Sequence, residues 1–252
     1  MILNDETTWP DRVIAFLEKR GQPLLDYELM MTGKDISFNG LLYDSVHREL
    51  TDLLLPYKIE NAFHCTRLTD DEINFIQKQG MQLPNLDTLN SRIDKLVQTG
   101  LLSKAISENL KFKNEANEQY RKDILHFVFQ SPHLEGEGGI ARFFTSWGGE
   151  ALYNAHEEDP VTGPVLAGIG RPCIIQARIP IANMGRAYFN TKIARIYFKN
   201  RGLRTEEPTS HEDHTKQPIP PDDVIAIFQF PEKRFLELSG CQTWRDTFLN
   251  IH

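Results

Sequence analysis

An α+β fold is predicted for this chain of 252 residues. Helical patterns dominate before residue 120 and strand-like runs outnumber them after it. No repeat or low-complexity segment interrupts either half. With 40% hydrophobic and 25% charged residues, the chain can fill the core of one large domain or two small ones.

The first 60 residues hold two helical patterns. One runs from Trp9 to Lys19 with Val13, Phe16 and Leu17 on a face, the other from Val46 to Leu55 with Leu50, Leu53 and Leu54. Gly21-Gln22-Pro23, Gly33 and Gly40 punctuate them. Residues 1–60 are expected to form a helical extension packed on a domain of residues 61–252. At 63–68, Phe63, Cys65 and Leu68 make a short apolar run broken by His64 and Thr66, a predicted strand. Thr69-Asp70-Asp71-Glu72 follows as a capping box, whose Thr oxygen and Glu carboxylate satisfy the free N–H groups of a helix start. Ile73 and Ile76 lie one turn apart on that helix, and Gly80 is expected to end it in the left-handed conformation.

Leu86, Leu89, Ile93, Leu96 and Val97 then follow a helical period and stop at Gly100. A polar stretch over 107–120 leads to Ile124-Leu125-His126-Phe127-Val128-Phe129, whose β-branched and aromatic content predicts a buried strand. Gly136, Gly138 and Gly139 break the chain before 140–146, another predicted strand. Residues 173–181 and 224–230 are two more. Between 200 and 222 the chain is polar and proline-rich, the kind of long loop that carries function inside a compact domain.

A net charge of −7 argues against broad, nonspecific attraction to nucleic acid or anionic membranes. No apolar run approaches the roughly 18 residues of a membrane span, and Met1 to Glu6 lacks the basic-then-apolar order of a signal peptide. Cys65, Cys173 and Cys241 are odd in number and widely spaced, so neither a disulfide framework nor a zinc knuckle is expected, and a reducing cytoplasm is.

Three constellations could carry chemistry. His64 and Thr66 share one face of a strand, where a histidine is either hydrogen-bonded in the core or a ligand contact. Phe143, Phe144 and Trp147 fall within five positions and precede Gly148-Gly149, a flat apolar wall suited to a planar heterocycle; on a strand, one phenylalanine would face the ligand and the other the core. His211, Glu212 and His214 combine imidazole and carboxylate, which suits zinc, with His156-Glu157 contributing from afar. The competing reading is a solvated acidic loop.

Taken in order, these elements resemble the motifs of ADP-ribosyltransferases of the diphtheria-toxin-like branch. In that family a His-bearing strand runs into a helix. A Gly-hydrophobic-aromatic strand precedes a helix with a small residue and a tyrosine, here Ala151 and Tyr153. A catalytic glutamate stands seven residues before an Ile-Pro-Pro-x-x-Ile element, as Glu212 stands before Ile219-Pro220-Pro221. Where the family usually places a stacking tyrosine, this chain has Arg142, Phe143 and Phe144. The resemblance covers His64 to about Phe230, including a core strand from Arg171.

The resemblance implies a split two-sheet antiparallel core with NAD in its cleft. The nicotinamide–ribose bond would be cleaved and ADP-ribose passed to a protein or nucleic acid. His64 would fix the adenosine ribose, with Cys65 and Thr66 beside it, and one of Phe143, Phe144 or Trp147 would hold nicotinamide. Arg67 and Arg171 would meet the pyrophosphate, and Glu212 would be the catalytic carboxylate, with Glu206 and Glu207 as fallbacks. Intracellular bacterial relatives are often toxins or phage-defence effectors held by an antitoxin. An NAD glycohydrolase on the same site, a metal-dependent hydrolase at His211/Glu212/His214 and a non-catalytic binding module are the alternatives.

Overall fold

The computed structural model describes every residue except 136, 186–187, 206 and 245–252. Helices α1 (Asp11–Arg20), α2 (Gln22–Met31) and α3 (Gly40–Leu54) lead into β1 (Lys58–Leu68) and α4 (Asp70–Gln79). Next come α5 (Leu86–Gln98), α6 (Lys104–Phe112), β2 (Leu125–Val128), α7 (Glu137–Thr145), α8 (Glu150–His156) and α9 (Thr162–Gly168). The chain continues through β3 (Arg171–Pro180), α10 (Phe189–Lys199), β4 (Glu212–Thr215), β5 (Val224–Gln229) and α11 (Lys233–Ser239).

The class is α+β, as predicted. The expected pair of sheets is not found: among the described residues the strands make one five-stranded sheet in the order β4-β2-β1-β3-β5. Strands β3 and β5 are antiparallel, with Cys173 opposite Gln229 and Ile175 opposite Ile227. The 140–146 segment, predicted as a strand, is helix α7, and Gly138 and Gly139 lie inside it rather than before it; Gly136 lies outside the described residues. Ile140 and Phe144 are buried at i and i+4, so a helical period overrides the aromatic content that favours a strand.

Two compact units divide the chain. The first comprises Met1–Ala62, Val128–Gln130 and Arg178–Asp213, the second Phe63–Phe127, Ser131–Ala177 and His214–His252. The N-terminal helices share their unit with α10.

In the first unit, α3 buries Val46, Leu50 and Leu54. Helix α2 begins with proline in its first turn, where a missing N–H costs nothing, so Gly21-Gln22-Pro23 starts a helix as well as ending one. Arg195 of α10 makes a two-pronged bond to Glu28 of α2 at 2.7 and 3.0 Å, fully inside the unit. Arg195 also donates to the Pro208 carbonyl at 2.9 Å, which ties down the loop after α10. The rings of His211, Phe129 and Phe189 pack as a triangle, His211 at 5.4 and 5.2 Å from the two phenylalanines.

In the second unit, Leu89, Ile93 and Leu96 of α5 pack with Leu110, Trp147, Leu152 and Leu166. The capping box forms in full: Thr69 Oγ1 accepts from the Glu72 N–H, and the Glu72 carboxylate accepts from the Thr69 N–H at 2.8 Å. Gly80 ends α4 at φ 77°, ψ −171°, a positive-φ conformation but not the left-handed helical one expected. A Cβ there would lie 2.0 Å from the Ile219 carbonyl oxygen, so glycine lets the chain pass close by. Met81 and Ile219 then exchange N–H···O bonds of 2.8 and 2.9 Å, seating the Ile-Pro-Pro element against the end of α4.

Candidate functional site

His64 lies on β1, partly exposed, with Nδ1 2.9 Å from the main-chain carbonyl oxygen of His126. A carbonyl only accepts, so Nδ1 carries the proton and the neutral ring keeps a lone pair on Nε2. Burial lowers the His64 pKa, and His126 and the Arg92 guanidinium push the same way, against the bond to the His126 carbonyl. The imidazole is therefore held neutral, with its outer nitrogen an acceptor. Its ring packs 5.8 Å from that of Phe127. Thr66 follows two residues on, partly exposed on the same face of the strand.

Alternation sends Cys65 and Arg67 to the opposite, buried face. Arg67 donates to the carbonyl oxygens of Ile169, Phe144 and Gly170 at 3.0, 2.9 and 2.8 Å. Every nitrogen of its guanidinium thus holds main chain, which corrects its expected role at a pyrophosphate. Arg171 is engaged as well, with Asp70 at 2.8 Å and the Gln229 amide oxygen at 3.2 Å.

The aromatic wall is also redistributed. Phe144 and Trp147 are wholly enclosed, Phe144 against Phe235 at 5.0 Å. Both are core side chains: Phe144 lies on α7, and Trp147, in the turn after it, packs with Leu89, Ile93 and Leu166. Phe143 points elsewhere, partly exposed, edge-on to Tyr153 at 5.9 Å. Of the three rings expected to meet a cofactor, Phe143 is the one left accessible. The predicted Ala151 and Tyr153 lie on α8, where Tyr153 donates to Glu150 at 3.1 Å.

Trp147 instead donates its indole N–H to Glu72 at 3.0 Å, and Arg92 of α5 donates Nε to the same carboxylate at 2.6 Å. Burial raises the Glu72 pKa, but Arg92, the Thr69 N–H and the Trp147 N–H outweigh it and hold the carboxylate below its usual range. Sequence reasoning found Glu72 as a cap and missed Arg92 altogether. Position 92 flanks the apolar face of α5, where a cation reads as solvated, and only folding brings Glu72 and Trp147 to it.

Glu212 belongs to the first unit, as the exposed first residue of β4. Its neighbours His211 and Asp213 are buried, with His211 Nε2 3.3 Å from an Asp213 oxygen and the other Asp213 oxygen accepting from the Gly185 N–H at 3.0 Å. Glu207 stands 3.8 Å from Arg195; Glu206 lies outside the described residues. In the second unit, the His214 ring is 5.7 Å from that of His126. His156 spends both nitrogens, on Thr162 Oγ1 at 2.9 Å and the Lys113 carbonyl at 2.7 Å. Among the described residues no group of three or more His, Cys, Asp or Glu side chains converges as a metal site, so the zinc reading of 211–214 lacks a ligand set. Nor is any described helix long and apolar enough to cross a membrane.

Comparison of the chain with protein-family models, with curated proteins and with solved structures finds no match.

Proposed function

We propose that the chain is an NAD-dependent mono-ADP-ribosyltransferase acting in a reducing cytoplasm on a protein or nucleic acid. The observation that carries this reading is His64: a partly exposed, neutral imidazole on β1, with its tautomer fixed so that Nε2 accepts a hydrogen bond. A ribose hydroxyl can donate to such a nitrogen. Three further features support it. The His-bearing strand runs straight into a capped helix. The Ile-Pro-Pro element docks at the end of that helix. Glu212, seven residues before it, opens a strand with its carboxylate exposed. The three cysteines are buried and none is in a disulfide, in keeping with reducing surroundings.

In this reading the C–N bond to nicotinamide breaks with its electron pair leaving on the ring nitrogen. Positive charge develops on the ribose, and the acceptor attacks its C1′ and loses a proton. Glu212 would bind the 2′-hydroxyl, offset that charge and orient the acceptor. Phe143 would stack on nicotinamide. An antitoxin partner would suit such an activity in a cell.

Incubation of the protein with NAD labelled in its adenylate portion and a whole-cell lysate tests the proposal. Label on a macromolecule, lost in Glu212→Gln, is expected. Label released only as free ADP-ribose would make the enzyme a glycohydrolase, and intact NAD would end both readings.

A further inference from the structure

The Glu72 carboxylate is saturated. One oxygen accepts from Arg92 Nε at 2.6 Å, the other from the Thr69 N–H and hydroxyl at 2.8 and 3.1 Å, and the Trp147 indole lies 3.3 and 3.0 Å from the two. Arg92 is restrained twice, by that bond and by the Trp147 ring, whose centroid lies 4.6 Å from the guanidinium carbon. Yet only Nε is used. Among the described residues neither terminal nitrogen of Arg92 has a protein partner, and its side chain is 35% exposed against 17% for Glu72. A guanidinium aimed by a partly buried carboxylate and a ring, with its outer edge open, is organised in advance for an anion.

We infer that the terminal nitrogens of Arg92 form an anion site next to His64 that takes a phosphate group of the bound nucleotide. The fork geometry suits phosphate oxygens, whereas Arg67 commits its guanidinium to main chain and Arg171 is paired with Asp70 and Gln229. The electrostatic influence of Arg92 on His64 agrees with that placement. The inference rests on the nucleotide reading above for the identity of the anion, and on the Glu72–Arg92–Trp147 arrangement for its cation. A purely structural Arg92 would only neutralise Glu72, and an ammonium could do that equally well.

Calorimetric titration of the full chain with ADP and with adenosine separates the two roles. Arg92→Lys keeps a cation for Glu72, so it should melt with the parent. One ammonium cannot serve both Glu72 and a phosphate, so ADP affinity should fall about tenfold, with adenosine affinity within twofold. Arg92→Gln should lose more ADP affinity and weaken the salt dependence of what remains. ADP binding unchanged in both variants overturns the assignment, as does an equal loss for adenosine, or a parent protein that binds neither. If ADP binds through Arg92 but NAD is never consumed, the phosphate site stands and the transferase reading falls. If NAD is consumed and Arg92→Lys binds ADP as the parent does, the reverse holds.

Discussion

The Arg67 guanidinium grips the carbonyl oxygen of Phe144 at 2.9 Å, joining β1 to α7 by a charge-assisted bond inside the core. Burial draws the Arg67 pKa down to about 10, still far enough above neutrality to keep the cation. Arg67→Met would strand three buried carbonyl oxygens, at an expected cost of about 3 kcal/mol or more. Urea melts should show a lower midpoint at unchanged slope. A fully stable variant that had lost only nucleotide binding would return Arg67 to the site.

Phe143 and Phe144 should part company on truncation. Phe144→Ala opens a hole in the core and should cost about 3–5 kcal/mol. Phe143→Ala gives up one edge-on contact with Tyr153 and part of its burial, about 1 kcal/mol, while weakening NAD binding. Equal destabilisation of the two variants, with NAD affinity unchanged in Phe143→Ala, would remove both rings from the site.

Acid should weaken the protein through His64. The folded ring titrates below the ordinary value of 6.5, and the unfolded ring at it. Between the two, the unfolded chain binds more protons, so stability rises with pH across that window. The contribution is complete above the unfolded value and is lost as pH falls through the folded one. Nucleotide affinity should follow the same course, because protonation removes the Nε2 lone pair. Urea melts and ADP titrations of the parent and of His64→Gln, on the acid side of neutrality, check this: the variant should lack the His64 step in both. Identical pH profiles would refute it.

Glu212→Gln keeps the shape of the side chain but removes the charge that would offset the oxocarbenium ion. Turnover should drop about 10²–10³-fold, the scale of one lost transition-state stabiliser, with NAD affinity nearly intact. Full activity here together with loss in Glu207→Gln would move the assignment upstream in the loop.

Much of the second unit was legible from residues alone. The Thr69–Glu72 box, the apolar period from Leu86 to Val97 and the β-branched runs at 173 and 224 are local signals, and each element formed within a few residues of its expected bounds. Helix α7 was misread because aromatic content outweighed the Ile140–Phe144 spacing, while the second sheet was an expectation of the family resemblance and had no local signal of its own. Helix α10 was not predicted: it buries Asn190, Thr191 and Arg195 along with Phe189, Ile193, Ile196 and Phe198, so its buried positions do not read as the apolar stripe that sequence reasoning relies on. At the site, His64 and Thr66 could be read from strand alternation. The occupation of Arg67 by three carbonyls and the aiming of Arg92 by Glu72 join residues from 20 to 103 positions apart, a distance at which no spacing rule operates.

The partner that fixes the His64 tautomer is peptide backbone. Whatever side chain occupies position 126, its carbonyl oxygen stays, so replacing His126 leaves the polarity of the His64 ring as it is. The imidazole at 126, 5.7 Å from that of His214, can therefore be exchanged without changing which nitrogen of His64 carries the proton.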